Sequence, residues 1–123
     1  MEDIANRKEK VVKIAEFIDT LKAADTIVLD LTKHGSSWTD YFIITTVNSA
    51  VQLKGIYKQL QAELEVQGID PLWRQKRIDN DKWVLIDCEY FVIHLMDRES
   101  RDFYELEKLW FNSEIIYQIS KSS

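Results

Sequence analysis

The chain has 123 residues, of which 46% are hydrophobic and 30% charged, a balance that fits one globular domain over residues 1–123. Its formal net charge of −5 lacks the positive footprint that direct nucleic-acid binding needs, and no apolar run reaches the roughly 18 residues of a membrane span. The lone cysteine rules out an internal disulfide and the charged start Met1-Glu-Asp-Ile-Ala has no apolar signal segment, so a cytoplasmic protein is expected.

In chain order, residues 3–24 read as a helix, with Val11, Ile14, Ala15, Ile18 and Leu21 forming one apolar stripe. The first ten residues are highly charged and are expected to fray. Thr26-Ile-Val-Leu-Asp-Leu31 is β-branched and apolar, a first strand. Lys33–Trp38 is a loop, and Asp40-Tyr-Phe-Ile-Ile-Thr-Thr46 a second strand, antiparallel to the first because the connection is short. Ser49 and Gln52 match a helix capping box, followed by the stripe Leu53, Ile56, Tyr57, Leu60 and Leu64, with Gly68 and Pro71 as stop signals. Leu72–Ile78 is a third strand and Asp79-Asn-Asp81 a turn. Asp81–Met96 is a hairpin that supplies the fourth and fifth strands. Glu99–Leu109 is a last helix, with Phe103, Leu106 and Leu109 or Trp110 facing inward. Beyond it, Ile115, Ile116 and Ile119 suggest a short extension, and residues 112–123 are otherwise expected to be frayed. The order α-β-β-α-β-β-β-α predicts an α/β (α+β) domain: a mixed five-stranded sheet with helices mainly on one face.

The hairpin carries the chemically unusual residues. With a two-residue turn at Cys88-Glu89, Asp87 lies opposite Tyr90, Leu85 opposite Val92, and Trp83 opposite His94. These six share one face, while Val84, Ile86, Phe91, Ile93 and Leu95 share the other. The second set is an ordinary core. The first combines an indole, a carboxylate, a phenol and an imidazole, which suits either burial beneath a loop or helix, or a partner-binding patch. Asp87 and Glu89 would select basic partner groups, and Trp73 on the neighbouring third strand would extend the patch.

Enzyme chemistry finds little support. His34, His94 and Cys88 have no metal-ligand spacing, so no metal or other cofactor is expected. Cys88 and His94 fall on opposite faces, a poor nucleophile–base pair. Three glycines are too few for a phosphate cradle. Gly35-Ser36-Ser37 before Asp40 faintly resembles a nucleotidyltransferase loop, but the second carboxylate of a two-metal site is missing. A residual enzyme using Asp40 is therefore the alternative reading. Arg74, Lys76 and Arg77 form a local basic cluster best read as a solvated strand or turn.

A series of motifs then points to a family. Leu29-Asp30-Leu31, Ser36-Ser-x-x-Asp40-Tyr-Phe-Ile-Ile44, Trp83-Val-Leu-x-Asp87, Val92-x-His94 and Arg101-x-Phe-Tyr-x-Leu-Glu-x-Leu-Trp110 together resemble the ribosomal silencing factors, the Iojap-like proteins, from about Ala24 to Trp110. The resemblance implies a nucleotidyltransferase-like fold without its catalytic carboxylates, and a non-enzymatic translational repressor. It implies docking on the L-fourteen protein of the large ribosomal subunit, a block to joining of the small subunit when nutrients are short, and a homodimer in the free state. On that reading Trp83 anchors the contact, with Leu85 and Val92 in support. His94 and Tyr104 supply polar contacts, and Asp87 and Glu89 pair with basic residues. The chain departs from the family pattern at Val47-Asn-Ser-Ala-Val51, where Ala50 and Val51 replace a polar Asn-Arg pair, at Gln75-Lys76, and at Glu89-Tyr90, where the family has a Gly-Asp turn.

Overall fold

The computed structural model describes residues 4–33, 39–69, 75–77, 82–109 and 114–118. Trp73, Arg74, His34, the Gly35–Ser37 loop, Pro71, the Asp79–Asp81 turn, Trp110, Ile119 and the last residues of the tail lie outside them, as do the side chains of Lys76 and Arg77.

The elements run α1 (Ile4–Thr20), β1 (Ala24–Asp30), β2 (Tyr41–Val47), α2 (Ala50–Val66), β3 (Gln75–Arg77), β4 (Trp83–Asp87), β5 (Phe91–Asp97), α3 (Arg98–Tyr104), α4 (Leu106–Leu109) and β6 (Glu114–Gln118). The sheet order is β3-β4-β5-β2-β1-β6. β2 and β5 are parallel, and the other pairs are antiparallel. This is the expected mixed sheet, with a sixth strand added at the β1 edge.

The helices form where the apolar stripes lie. Val11, Ile14, Ala15 and Ile18 of α1 and Leu53, Ile56, Leu60 and Leu64 of α2 are all buried. They pack on one sheet face against Val28, Ile43, Val84, Ile86, Phe91, Ile93 and Leu95. α2 starts at Ser49, whose hydroxyl accepts from the Gln52 N–H at 3.0 Å. The reciprocal bond reaches one residue further back than a capping box: Gln52 Oε1 accepts from the Asn48 N–H at 2.7 Å. α2 ends with Gly68 at φ 70 and the Ile69 N–H on the Leu64 carbonyl at 2.8 Å, which satisfies a terminal carbonyl in the left-handed turn that glycine favours.

The second face holds a smaller cluster: Ile27, Leu29, Leu31, Phe42, Ile44, Trp83, Val92, Met96 and Leu106, with Leu85 against it. Leu106 comes from α4, so the C-terminal helices return over this face. The single last helix expected from Glu99 to Leu109 is in fact two. Glu105 adopts a left-handed conformation (φ 50, ψ 52) and breaks it. The break changes the phase: Leu106 turns inward, while Phe103, expected inward, stands 78% exposed.

The hairpin also corrects its expected turn. Trp83 pairs with Met96, Leu85 with His94 and Asp87 with Val92. The register is displaced by two residues, which keeps each strand residue on its expected face because side chains alternate with period two. The connection is Cys88–Tyr90, closed by the Cys88 N–H on the Phe91 carbonyl at 2.9 Å. Tyr90 therefore leaves the strand. It packs with the first cluster under α1, where the Arg7 guanidinium lies 4.8 Å from its ring centroid. It does not share a face with Trp83.

Strand β6 draws the chain's end into the sheet. It pairs antiparallel with β1, and the Tyr117 hydroxyl donates to the Asp19 carboxylate of α1.

Candidate functional site

The second sheet face and the two short helices over it bring together most of the expected site residues. Trp83 starts β4 and is only 8% exposed. Its indole N–H donates to His94 Nδ1 on β5 at 3.2 Å. Above it lies the Tyr104 ring, with centroids 4.6 Å apart. Phe42 meets the His94 ring edge-on at 4.6 Å. The result is a stack from sheet to surface: His94, then Trp83, then Tyr104.

His94 is 3% exposed, and burial pushes its pKa down to about 3. It is neutral at physiological pH. Acceptance at Nδ1 places the remaining ring proton on Nε2, which meets no hydrogen-bond partner among the described residues. An uncharged imidazole of this kind suits the interior. Neither His94 nor Trp83 is on the surface, so neither is the exposed contact expected from the hairpin pattern. The physical reason is the return of α3 and α4 over that face. Val92 is fully buried as well, and Leu85 and Asp87 are half-buried. Glu89 and Tyr104 are exposed, the latter by 40%.

Tyr104 has a companion that periodicity assigned to the core. The Phe103 ring meets the Tyr104 ring at 82° with centroids 5.0 Å apart, an edge-to-face pair open to solvent. Beside it is a groove of about 190 Å³ lined by Lys82, Glu99, Ser100, Phe103 and Tyr104. That is below the several hundred Å³ usual for a small-molecule site, and of a size to take one or two partner side chains. Its lining carries both signs, Lys82 and Glu99. Phe103 was missed because a uniform helix from Glu99 to Leu109 puts it in step with Leu106. The only hint of the break is the lack of an apolar residue at 98–102.

The alternative centre at Asp40 gains nothing from the geometry. Its carboxylate faces Arg7 at 3.9 Å, both groups partly exposed. Among the described residues no three His, Cys, Asp or Glu side chains come together as a metal site would need. Burial, together with the Asp87 charge, pushes the Cys88 thiol up to about 12, so it is an inert core thiol. Among the described residues no helix is long and apolar enough to cross a membrane.

Comparison with known proteins agrees with the motif series. The family model described as "Ribosomal silencing factor during starvation" matches residues 4–123. The ribosomal silencing factor of Bacillus subtilis is 31% identical over 105 residues, covering 85% of this chain and 87% of its own. That of Haemophilus influenzae is 32% identical over 97 residues, covering 79% and 93%. A mouse protein named "Mitochondrial assembly of ribosomal large subunit protein 1" is 38% identical over 80 residues, 59% of this chain and 33% of its own. A crystal structure of a Chromobacterium violaceum protein superposes with a TM-score of 0.74 at 31% identity, covering 84% of this chain and 85% of that one. With residues 4–123 matched by the family model and relatives above 30% identity covering most of its length, the chain belongs to the ribosomal silencing factor family.

Proposed function

We propose that this protein is a non-enzymatic, cytoplasmic repressor of translation that docks on the L-fourteen protein of the large ribosomal subunit. Occupancy of that place sterically prevents the small subunit from joining, which lowers translation under nutrient limitation. Family membership and the motif resemblance support the ribosomal partner. The observation that carries the location is the solvent-open Phe103–Tyr104 pair, set on a rigid Trp83–His94 floor. Exposed aromatic side chains over a packed base are the usual anchors of protein interfaces.

On this reading Phe103 and Tyr104 are the anchors, Leu85 fills in beside them, and Asp87 and Glu89 meet basic groups on the partner. Trp83, Val92 and His94 act from beneath, as the floor. A second copy of the chain that used the same face would compete with the ribosome for it. The test is sedimentation of the protein with isolated large subunits, with and without small subunits. The expected result is co-sedimentation with large subunits and a fall in joined particles as the protein is added. Failure to co-sediment overturns the reading.

A further inference from the structure

Helix α3 is inside-out. Of its seven residues, the buried ones are Ser100 and Arg101, while Phe103 stands in solvent and Tyr104 is partly exposed. A helix this short is marginal by itself, and helices in globular proteins are normally seated by an apolar face. No apolar side chain of α3 is fully buried, so beside the contact of Tyr104 with the Trp83 ring its place is held by polar ties. They converge on one spot at the β1–β2 end of the sheet. Arg101 is 7% exposed, and its Nη1 donates to the Asp25 carbonyl at 2.6 Å and to Thr46 Oγ1 at 2.9 Å. Arg98, one turn earlier on the same side, pairs with the Asp25 carboxylate. Asp25 itself has φ 51, a left-handed conformation that non-glycine residues seldom adopt, at an irregularity in the β1–β2 register between Ala24 and Ile27. The bulged residue thus offers its carbonyl to one arginine and its carboxylate to the other.

We propose that Arg101, with Arg98, Asp25 and Thr46, is a positioning clamp that sets the Phe103–Tyr104 pair at the height and angle needed for docking. The inference rests on the proposed docking face, and adds residues that do not lie on it. Thr46 is buried on β2 and cannot itself touch a partner. Both bonds leave one nitrogen, Nη1, whose two protons have fixed directions in the guanidinium plane, whereas the protons of a lysine ammonium rotate freely. Burial of Arg101 raises the cost of losing these acceptors, because a guanidinium withdrawn from water needs hydrogen-bond partners.

The experiment uses the full chain as wild type, Arg101→Lys, Thr46→Val and Arg98→Ala. Each is labelled with 5-fluorotryptophan, and the Trp83 resonance is identified by its loss in Trp83→Phe. Circular dichroism establishes that each variant is folded, and Thr46→Val and Arg98→Ala keep the test open should Arg101→Lys fail to fold. The expected result is a shifted or broadened Trp83 resonance in the folded variants, because Tyr104 no longer sits on that ring. With it comes a loss of about threefold to thirtyfold in affinity for large subunits. Folded variants whose Trp83 resonance stays at the wild-type position and whose affinity is unchanged overturn the clamp. Should wild type itself not bind large subunits, the docking reading falls, and the Trp83 resonance still decides whether the clamp seats α3.

Discussion

The indole N–H of Trp83 donates to Nδ1 of His94 across the β4–β5 pair, at 3.2 Å and out of reach of water. The bond turns the two most distinctive side chains of the hairpin into a structural unit. Substitution at Trp83 therefore acts first on stability. Trp83→Ala removes a buried aromatic ring and leaves a buried imidazole acceptor unsatisfied. The expected loss is about 3–5 kcal/mol, with Trp83→Phe costing less, read from urea denaturation midpoints. A Trp83→Ala protein as stable as wild type would remove the floor from the proposed site.

His94 makes stability depend on pH. Its folded-state pKa is lowered to about 3 from an ordinary 6.5. Below about pH 6.5 the unfolded chain takes up a proton that the folded chain refuses. Stability from this group is thus whole above that pH and falls as the pH drops, by up to about 1.4 kcal/mol per unit, levelling near the folded pKa. The difference between wild type and His94→Leu, measured at pH 7, 5.5 and 4.5, isolates it from the carboxylates. A constant difference across the series contradicts the buried neutral imidazole.

Phe103 separates binding from folding. At 78% exposure, Phe103→Ala is expected to change stability by no more than about 0.5 kcal/mol. The same change should weaken binding to large subunits by about tenfold or more, as loss of a hot spot does. Tight binding by Phe103→Ala would move the docking face elsewhere.

Glu105 holds a strained backbone between α3 and α4. Glu105→Gly should relieve it and stabilise the fold by about 0.5–1 kcal/mol. The exposed contact to Lys108 at 3.1 Å that is lost with it is worth little. A lower thermal midpoint in Glu105→Gly would show that the side chain, not the turn, governs this junction.

Tyr117→Phe removes the hydroxyl that ties β6 to Asp19 on α1. The cost is expected at about 1–2 kcal/mol, and hydrogen exchange should show faster opening of β6 than of β2. Equal protection of the two strands would mean that ladder pairing alone secures the C-terminal strand.

Local pattern carried much of this architecture. The stripes of α1 and α2, the start at Ser49 and the stop at Gly68 are short-range matters of spacing and capping, and each could be read directly. So could the faces of β4 and β5, since a two-residue error in the turn leaves alternation untouched. Tyr90 was misplaced because it belongs to the turn, where alternation gives no guidance. Phe103 was misplaced because a left-handed residue such as Glu105 carries no mark of its own, and the apolar-free run at 98–102 is only a faint hint. Arg101 opens one motif of the series, but nothing in the sequence revealed what it holds. Its acceptors on Asp25 and Thr46 lie 76 and 55 residues away in sequence, and a buried arginine is defined only by what the fold brings to it.

Strand β5 is the seam of the sheet. On one side it joins β2 in parallel, and on the other it completes the β4 hairpin, so the β1–β2 and β3–β4 parts of the layer are joined through it. Such long-range parallel pairing slows folding compared with a simple meander. The same strand ends at Asp97, whose side chain accepts from the Ser100 N–H at 2.8 Å and starts α3. The seating of the aromatic pair is thus tied to the strand that joins the two halves of the sheet, so loosening of that seam would reach the proposed docking face.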